Sequence, residues 1–283
     1  MSANQNYQVN LNDYFSRIGY DGPRAATLDV LRALHDLHPR AIAFENLDPF
    51  AARRVSVALP AVVEKLVESR RGGYCFEHNT LFANVLMQLG FEVEPMAARV
   101  LFGQPAGAST PRTHMLLRVK VDGQAWLADV GFGGASLSAP LAFAERGVQQ
   151  TLLEPARLTP IDETEWKLES FDGNVWLDVY RFDDKLAQWV DYEVANWYTS
   201  ASPQSFFRDN LIACIAHEGR RAVLFNDRYT ERNGQGQRLT ERFMESVEDL
   251  ARCLQENFNL DTAGFDLPAL FARVEGREQS SDR

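Results

Sequence analysis

Arg71-Gly72-Gly73-Tyr74-Cys75-Phe76-Glu77-His78-Asn79 sets two glycines directly before a stretch of helical period in which Phe76, Phe82, Val85, Leu86 and Leu89 form an apolar stripe that Gly90 can close. The pattern predicts a tight turn opening into a helix whose first residue is Cys75. There the unpaired N–H groups and the positive end of the helix dipole favour a thiolate, and the same N–H groups can hold a tetrahedral oxyanion. A free cysteine is more often a small buried hydrophobe. That describes Cys214, inside the strand-like run 211–216, and Cys253, on the apolar side of an amphipathic helix. The glycine turn separates Cys75 from both.

Upstream, LDVLRALHDLHPRAIAF (28–44) and PAVVEKLVESR (60–70) space their apolar residues three to four apart, so residues 1–90 read as a helical bundle that carries the nucleophile. Downstream the period shortens. FEVEPMAARVLFG (91–103), HMLLRVKV (114–121), QAWLADVGF (124–132), WKLESF (166–171) and VWLDVYRF (175–182) read as strands, which makes 91–200 an antiparallel sheet or barrel. In 201–283, LIACIAHE (211–218) and RAVLFN (221–226) read as strands. ERNGQGQ (231–237) reads as a polar turn, a helix is expected from about Thr240 to Asn257, and GREQSSDR (276–283) as a frayed tail.

Position in the predicted sheet sorts the five histidines. Asp122-Gly123 is a two-residue hairpin signal, because both central positions need positive φ. If Val121 pairs with Gln124, His114 falls opposite Gly131 and Asp129 opposite Leu116. The two are then diagonal neighbours on one face, about 7–8 Å apart at the backbone and within reach of each other's side chains. A carboxylate so placed can fix the imidazole tautomer and stabilise the imidazolium, and a three-residue loop would put the pair on opposite faces. His78, one turn after Cys75, could touch it but is expected to cap or pack within the bundle. His35 and His38 are expected to be structural near a helix end, and His217 to lie at the surface.

Length and composition set the frame. A chain of 283 residues with 45% hydrophobic and 24% charged residues can bury a sizeable core and form a preformed pocket. A net charge of -10 argues against a nucleic-acid surface, although a local basic patch could still hold an anionic ligand. Neither a secretory leader nor a stretch of about 18 apolar residues is present, so a cytoplasmic protein without membrane contact is expected. Three widely spaced cysteines without a CxxC signal neither a disulfide framework nor a metal site.

RGGYCFEHN around Cys75, THMLL around His114 and DVGFGG around Asp129 resemble the three catalytic segments of the arylamine N-acetyltransferase family, in its order. FENLDPF (44–50) and NWYTSASPQSFF (196–207) resemble two further blocks of that family. The resemblance implies an α+β, cysteine-proteinase-like fold, with a helical bundle, an antiparallel β-barrel and a small α/β lid. It also implies ping-pong chemistry without a permanently bound cofactor. Cys75 takes acetyl from acetyl-CoA as cosubstrate and passes it to an arylamine or hydrazine, with no oligomeric state implied. By the same resemblance Phe44, Phe132 and Phe207 wall the acceptor, and Thr110 and Arg208 lie toward CoA, with Gly133 of the glycine run a further candidate. The run Gly131-Phe132-Gly133-Gly134 could let phosphates approach its backbone or simply end a strand. Other uses of such a triad are amide synthesis from a polyketide donor, transglutaminase-like hydrolysis, and a binding module without turnover.

Overall fold

The computed structural model describes residues 7–275, so the expected tail at 276–283 lies outside the described residues. Helices come first: α1 (Leu11–Ile18), α2 (Leu28–Ala41), α3 (Leu47–Phe50), α4 (Leu59–Val63) and α5 (Cys75–Gln88). The expected helix at 60–70 is realised as α4 continued by a π-helical turn over Glu64–Glu68. Helix α5 begins at Cys75, as the glycine turn predicted. Within this helical part a two-residue strand, β1 (Phe44–Glu45), was not expected.

Strands β2 (Glu92–Val100), β3 (Arg112–Val121), β4 (Gln124–Ala128), β5 (Leu141–Ala142), β6 (Val148–Gln149), β7 (Ala156–Pro160), β8 (Glu165–Phe171) and β9 (Trp176–Leu186) form one antiparallel sheet in the order β5-β4-β3-β2-β9-β8-β7-β6. Its two edges are stitched together by one side chain. Gln149 accepts from the Ala142 N–H at 2.7 Å and donates to the Ala142 carbonyl at 2.9 Å, so the sheet curls into a nearly closed barrel. Helices α6 (Trp189–Ala201) and α7 (Phe206–Asp209) lead to β10 (Ile212–His217), β11 (Arg220–Phe225), β12 (Arg228–Asn233) and β13 (Arg238–Phe243), followed by α8 (Val247–Phe258) and α9 (Leu267–Phe271).

The small sheet runs β1-β10-β11-β12-β13, so the helical part supplies one edge of it. The expected helix from Thr240 is corrected: residues 238–243 form β13, and α8 starts only at Val247. The reason is local. Thr240 pairs across to Glu231, and Ser246 Oγ accepts the Asp249 N–H at 3.1 Å, which is an N-cap that fixes where the helix begins.

Three apolar clusters hold the parts. One joins α1, α2 and α5 to one face of β3 and β4 through Tyr14, Phe82, Met115 and Trp126. The second packs the small sheet on α8 and α9, and the third fills the barrel around Tyr180 and Phe182. The thiol of Cys75 therefore lies where the helical part meets the barrel. Among the described residues no helix is long and apolar enough to cross a membrane.

Candidate active site

The Cys75 turn is made by close approach rather than by left-handed backbone. Neither Gly72 nor Gly73 has a positive φ. Instead a Cβ on Gly72 would stand 2.2 Å from the Ala43 carbonyl oxygen, and one on Gly73 2.6 Å from Glu77 Oε2. The space is taken by a parallel bridge in which the Gly73 N–H donates to Ala43 O at 3.2 Å and the Glu45 N–H to Gly73 O at 2.7 Å. Glu77 Oε2 caps the turn by accepting the Tyr74 N–H at 3.0 Å. Its other oxygen meets Lys65 Nζ at 2.7 Å, and Lys65 also meets Asp48 at 2.9 Å. Arg71 holds Glu45 at 2.7 Å and Asp48 at 3.1 Å, so a buried ionic cluster supports the start of α5.

On the barrel side the Asp122-Gly123 hairpin has the expected register, with paired residues from Val121–Gln124 to Leu117–Ala128. The ladder stops there, one residue before Asp129. Asp129 turns its N–H away from β3 to His35 Nε2, at 3.1 Å. Its carboxylate turns to His114, whose Nε2–H donates to Asp129 Oδ2 at 2.7 Å. Tyr180 O–H donates to the same oxygen at 3.0 Å, and Asn79 Nδ2 and the Gly131 N–H each donate to Oδ1 at 3.0 Å. Burial opposes charge on this carboxyl, but the His114 cation and these donors hold it below the usual carboxylate range.

His114 is buried too, which by itself disfavours its cation. The Asp129 carboxylate, with a further contribution from Cys75, outweighs that and pushes the imidazole up to about 10. The Cys75 side chain therefore meets an imidazole that is positively charged at neutral pH, the partner that a thiolate nucleophile requires. Its Sγ also rests 3.7 Å from the carbonyl of Thr113, on the strand that presents His114. Gly131 permits the approach of the two halves, because a Cβ there would lie 2.9 Å from Cys75 Cα.

Of the three expected aromatic walls, Phe44 and Phe207 meet at 6.0 Å and Phe207 meets Tyr74 at 5.6 Å. Phe132 stands edge-on to His114 at 5.1 Å, on the barrel side. Thr110 is half-buried, with Arg99 on its carbonyl and, among the described residues, no partner for its Oγ1. Arg208 is half-buried and donates to the Ala201 carbonyl at 3.4 Å. Gly133 is the inner glycine of its run. It is buried at φ +87 with a Cβ position 3.1 Å from the Phe44 ring, its N–H goes to Ser136 Oγ, and its carbonyl accepts from Arg221. The exposed glycine of the run is Gly134.

His78 packs in the bundle as expected and does not serve the thiol, while Tyr180, Asn79 and His35 were missed at the sequence level. A buried Asn one turn after a helix-start cysteine was the one available signal among them. Among the described residues, no three His, Cys, Asp or Glu side chains gather as a metal site.

A thiol at a helix start, facing an imidazole held by a buried carboxylate, is an arrangement suited to acyl transfer. The N-acetyltransferase family profile matches residues 27–267. The arylamine N-acetyltransferase of Escherichia coli is 40% identical over 251 residues, 88% of each chain, and that of Mycolicibacterium smegmatis 36% over 274 residues, 94% of this chain and 98% of its own. The structure of the Mycobacterium marinum arylamine N-acetyltransferase in complex with CoA matches with a TM-score of 0.88 at 35% identity, over 94% of this chain and 98% of that one. The chain belongs to the arylamine N-acetyltransferase family.

Proposed function

We propose that the protein moves an acetyl group from acetyl-CoA to the nitrogen of an arylamine or arylhydrazine, in two steps through Cys75. The observation that carries this is the line from Asp129 through His114 Nε2 to the Cys75 side chain. With Nε2 bound to the carboxylate, the other ring nitrogen is the one left for the thiol.

In the first step the Cys75 sulfur, its proton held on His114, attacks the acetyl carbonyl. N–H groups of the first turn of α5, which have no partner within the helix, stabilise the oxyanion. The bond to the CoA sulfur breaks, and the departing thiolate takes the proton from His114. In the second step the amine nitrogen attacks the acetyl-cysteine, its proton passes to His114, and Cys75 leaves as thiolate. One thioester replaces another in the first step, so it is near thermoneutral, and the covalent intermediate lets the two substrates bind in turn.

Phe44, Phe132 and Phe207 offer ring faces and edges to a flat acceptor. Thr110, Gly133 and Arg208 lie toward CoA, and the CoA complex of the Mycobacterium marinum relative supports that donor. In this reading residues 1–90 carry the nucleophile, 91–200 the imidazole and carboxylate, and 201–283 the lid. Three free, buried thiols fit a reducing cytoplasm.

The test is intact-mass measurement after mixing the protein with acetyl-CoA alone. A gain of about 42 Da, one acetyl group, mapped to Cys75, discharged by an arylamine and absent in Cys75→Ala is the expected result. A Cys75→Ala protein acetylated at the normal rate would sink the assignment.

A further inference from the structure

The aromatic lining does not end at Phe207. In the small sheet, residues directly paired across strands share a face. Phe44 pairs with Cys214, which pairs with Val223; two residues along, Ile212 pairs with Phe225. Phe44, Val223, Ile212 and Phe225 therefore lie on one face, and all but Phe225 pack with Phe207 in the cluster around Cys75. The opposite face, with Ala213 and Leu224, packs on α8.

Phe206 covers the outer end of the site-side face. Its ring lies within 16° of parallel to that of Phe225 at 6.0 Å, and 6.4 Å from that of Phe207, which in turn meets Phe44 and Tyr74. A row of rings thus leads from beside Cys75 to the surface. Phe206 is 56% exposed. A phenylalanine left that open contributes little to folding, since most of its apolar surface stays in water. Beside a half-buried ring of the site it offers a flat surface to whatever extends outward.

We propose that Phe206 and Phe225 form an outer aryl subsite for the distal ring of a two-ring arylamine whose amine-bearing ring lies against the touching rings of Phe44 and Phe207. The proposal rests on the acetyl-transfer reading above and narrows its acceptor class: the protein prefers biaryl and fused-ring amines to single-ring ones. Phe206 acts on specificity alone, since it touches neither the thiol nor the imidazole.

The experiment compares aniline with 4-aminobiphenyl as acceptors at saturating acetyl-CoA, in the wild type, Phe206→Ala and Phe206→Trp. Loss of one aromatic contact should raise the KM for 4-aminobiphenyl about fivefold in Phe206→Ala. The KM for aniline should stay within about twofold, kcat should hold for both, and Phe206→Trp should restore the preference. An equal change for both amines, or no change, overturns the subsite. A rise in the KM for acetyl-CoA instead overturns it in favour of the adenine ring of the donor. If the wild type acetylates neither amine, the transfer reading has failed, and equilibrium binding of 4-aminobiphenyl followed by its fluorescence decides the subsite separately. Binding that Phe206→Ala weakens about fivefold supports it, and binding that is absent or unchanged overturns it.

Discussion

Four buried histidines meet at the junction of helices and barrel, and they divide by charge. His114 is pushed up to about 10, whereas burial pushes His35 and His78 down to about 4 and His38 well below its ordinary value. Burial is common to all of them, so it does not make the difference. What differs is the group each ring faces. His78 Nε2 lies 3.1 Å from the Gly73 carbonyl and 3.2 Å from that of Ala43. Carbonyls only accept, so this nitrogen carries the proton and His78 Nδ1 is bare. His38 Nε2–H then donates to it at 2.9 Å, and Tyr14 O–H donates to His38 Nδ1 at 2.8 Å. A proton added at His78 Nδ1 would set two N–H donors against each other.

Asp129 serves both populations. It offers its carboxylate to His114 and its backbone N–H to His35, so its charge raises the first imidazole, while burial outweighs that charge at the second and keeps it neutral. Of the neutral histidines, His78 bonds the Ala43 and Gly73 carbonyls beneath the Cys75 turn, and the charged one faces the sulfur. The separation teaches that a charged imidazole is marked by its carboxylate and not by its depth.

Asp129→Asn attacks the comparison at its root and carries the largest expected effect. The amide keeps the volume but loses the charge, and an amide nitrogen facing His114 Nε2 would select the wrong tautomer. Turnover should fall by about four orders of magnitude with the fold retained, as for other triads stripped of their carboxylate. In the same variant, NMR should show the His114 ring losing its proton well below the wild-type value. Near-normal acetyl transfer would remove Asp129 from the machinery.

How much of this could be seen beforehand depended on distance along the chain. Cys75 follows a glycine pair and opens a helix, and the Asp-Gly hairpin sets the register that brings His114 near Asp129, so local signals sufficed for all three. What excludes a Cβ at the two glycines is Ala43 O and Glu77, and the first of these is supplied by a segment remote in the chain that no local signal shows. Tyr180 and His35 reach Asp129 from 51 and 94 residues away, and no periodicity carries such pairings. Strand β1 is two residues long, too short to have a period, and β13 was taken for helix because its polar alternation lay beside the true start of α8.

The pH dependence of stability sharpens the contrast, since the two populations give opposite slopes. The folded value of His114 lies above the ordinary 6.5. Its contribution is therefore complete below about pH 6.5 and is lost as pH rises toward about 10. For His35 and His78 the folded values lie below the ordinary one. Their neutral forms contribute fully above about pH 6.5, and that contribution is lost as pH falls toward about 4, on the order of 3 kcal/mol for each ring. Urea unfolding across this range should give a maximum near neutrality, with a decline on both sides. Histidine NMR should show His114 protonated up to at least about pH 9 while His35 and His78 stay neutral down to about pH 5. A His114 signal that titrates near 6.5 would erase the distinction.

The smallest effect separates holding the carboxylate from charging the imidazole. His35→Leu leaves the buried N–H of Asp129 without its acceptor, which should cost about 1–3 kcal/mol of stability in urea unfolding. The carboxylate of Asp129 keeps Tyr180, Asn79 and the Gly131 N–H as donors, so His114 should still titrate at its raised value. His35→Gln, which can return an acceptor oxygen to the same place, should recover most of the stability. If instead His35→Leu lowers the His114 value as far as Asp129→Asn does, the neutral ring controls the charge of its neighbour, and the two populations are a single coupled unit.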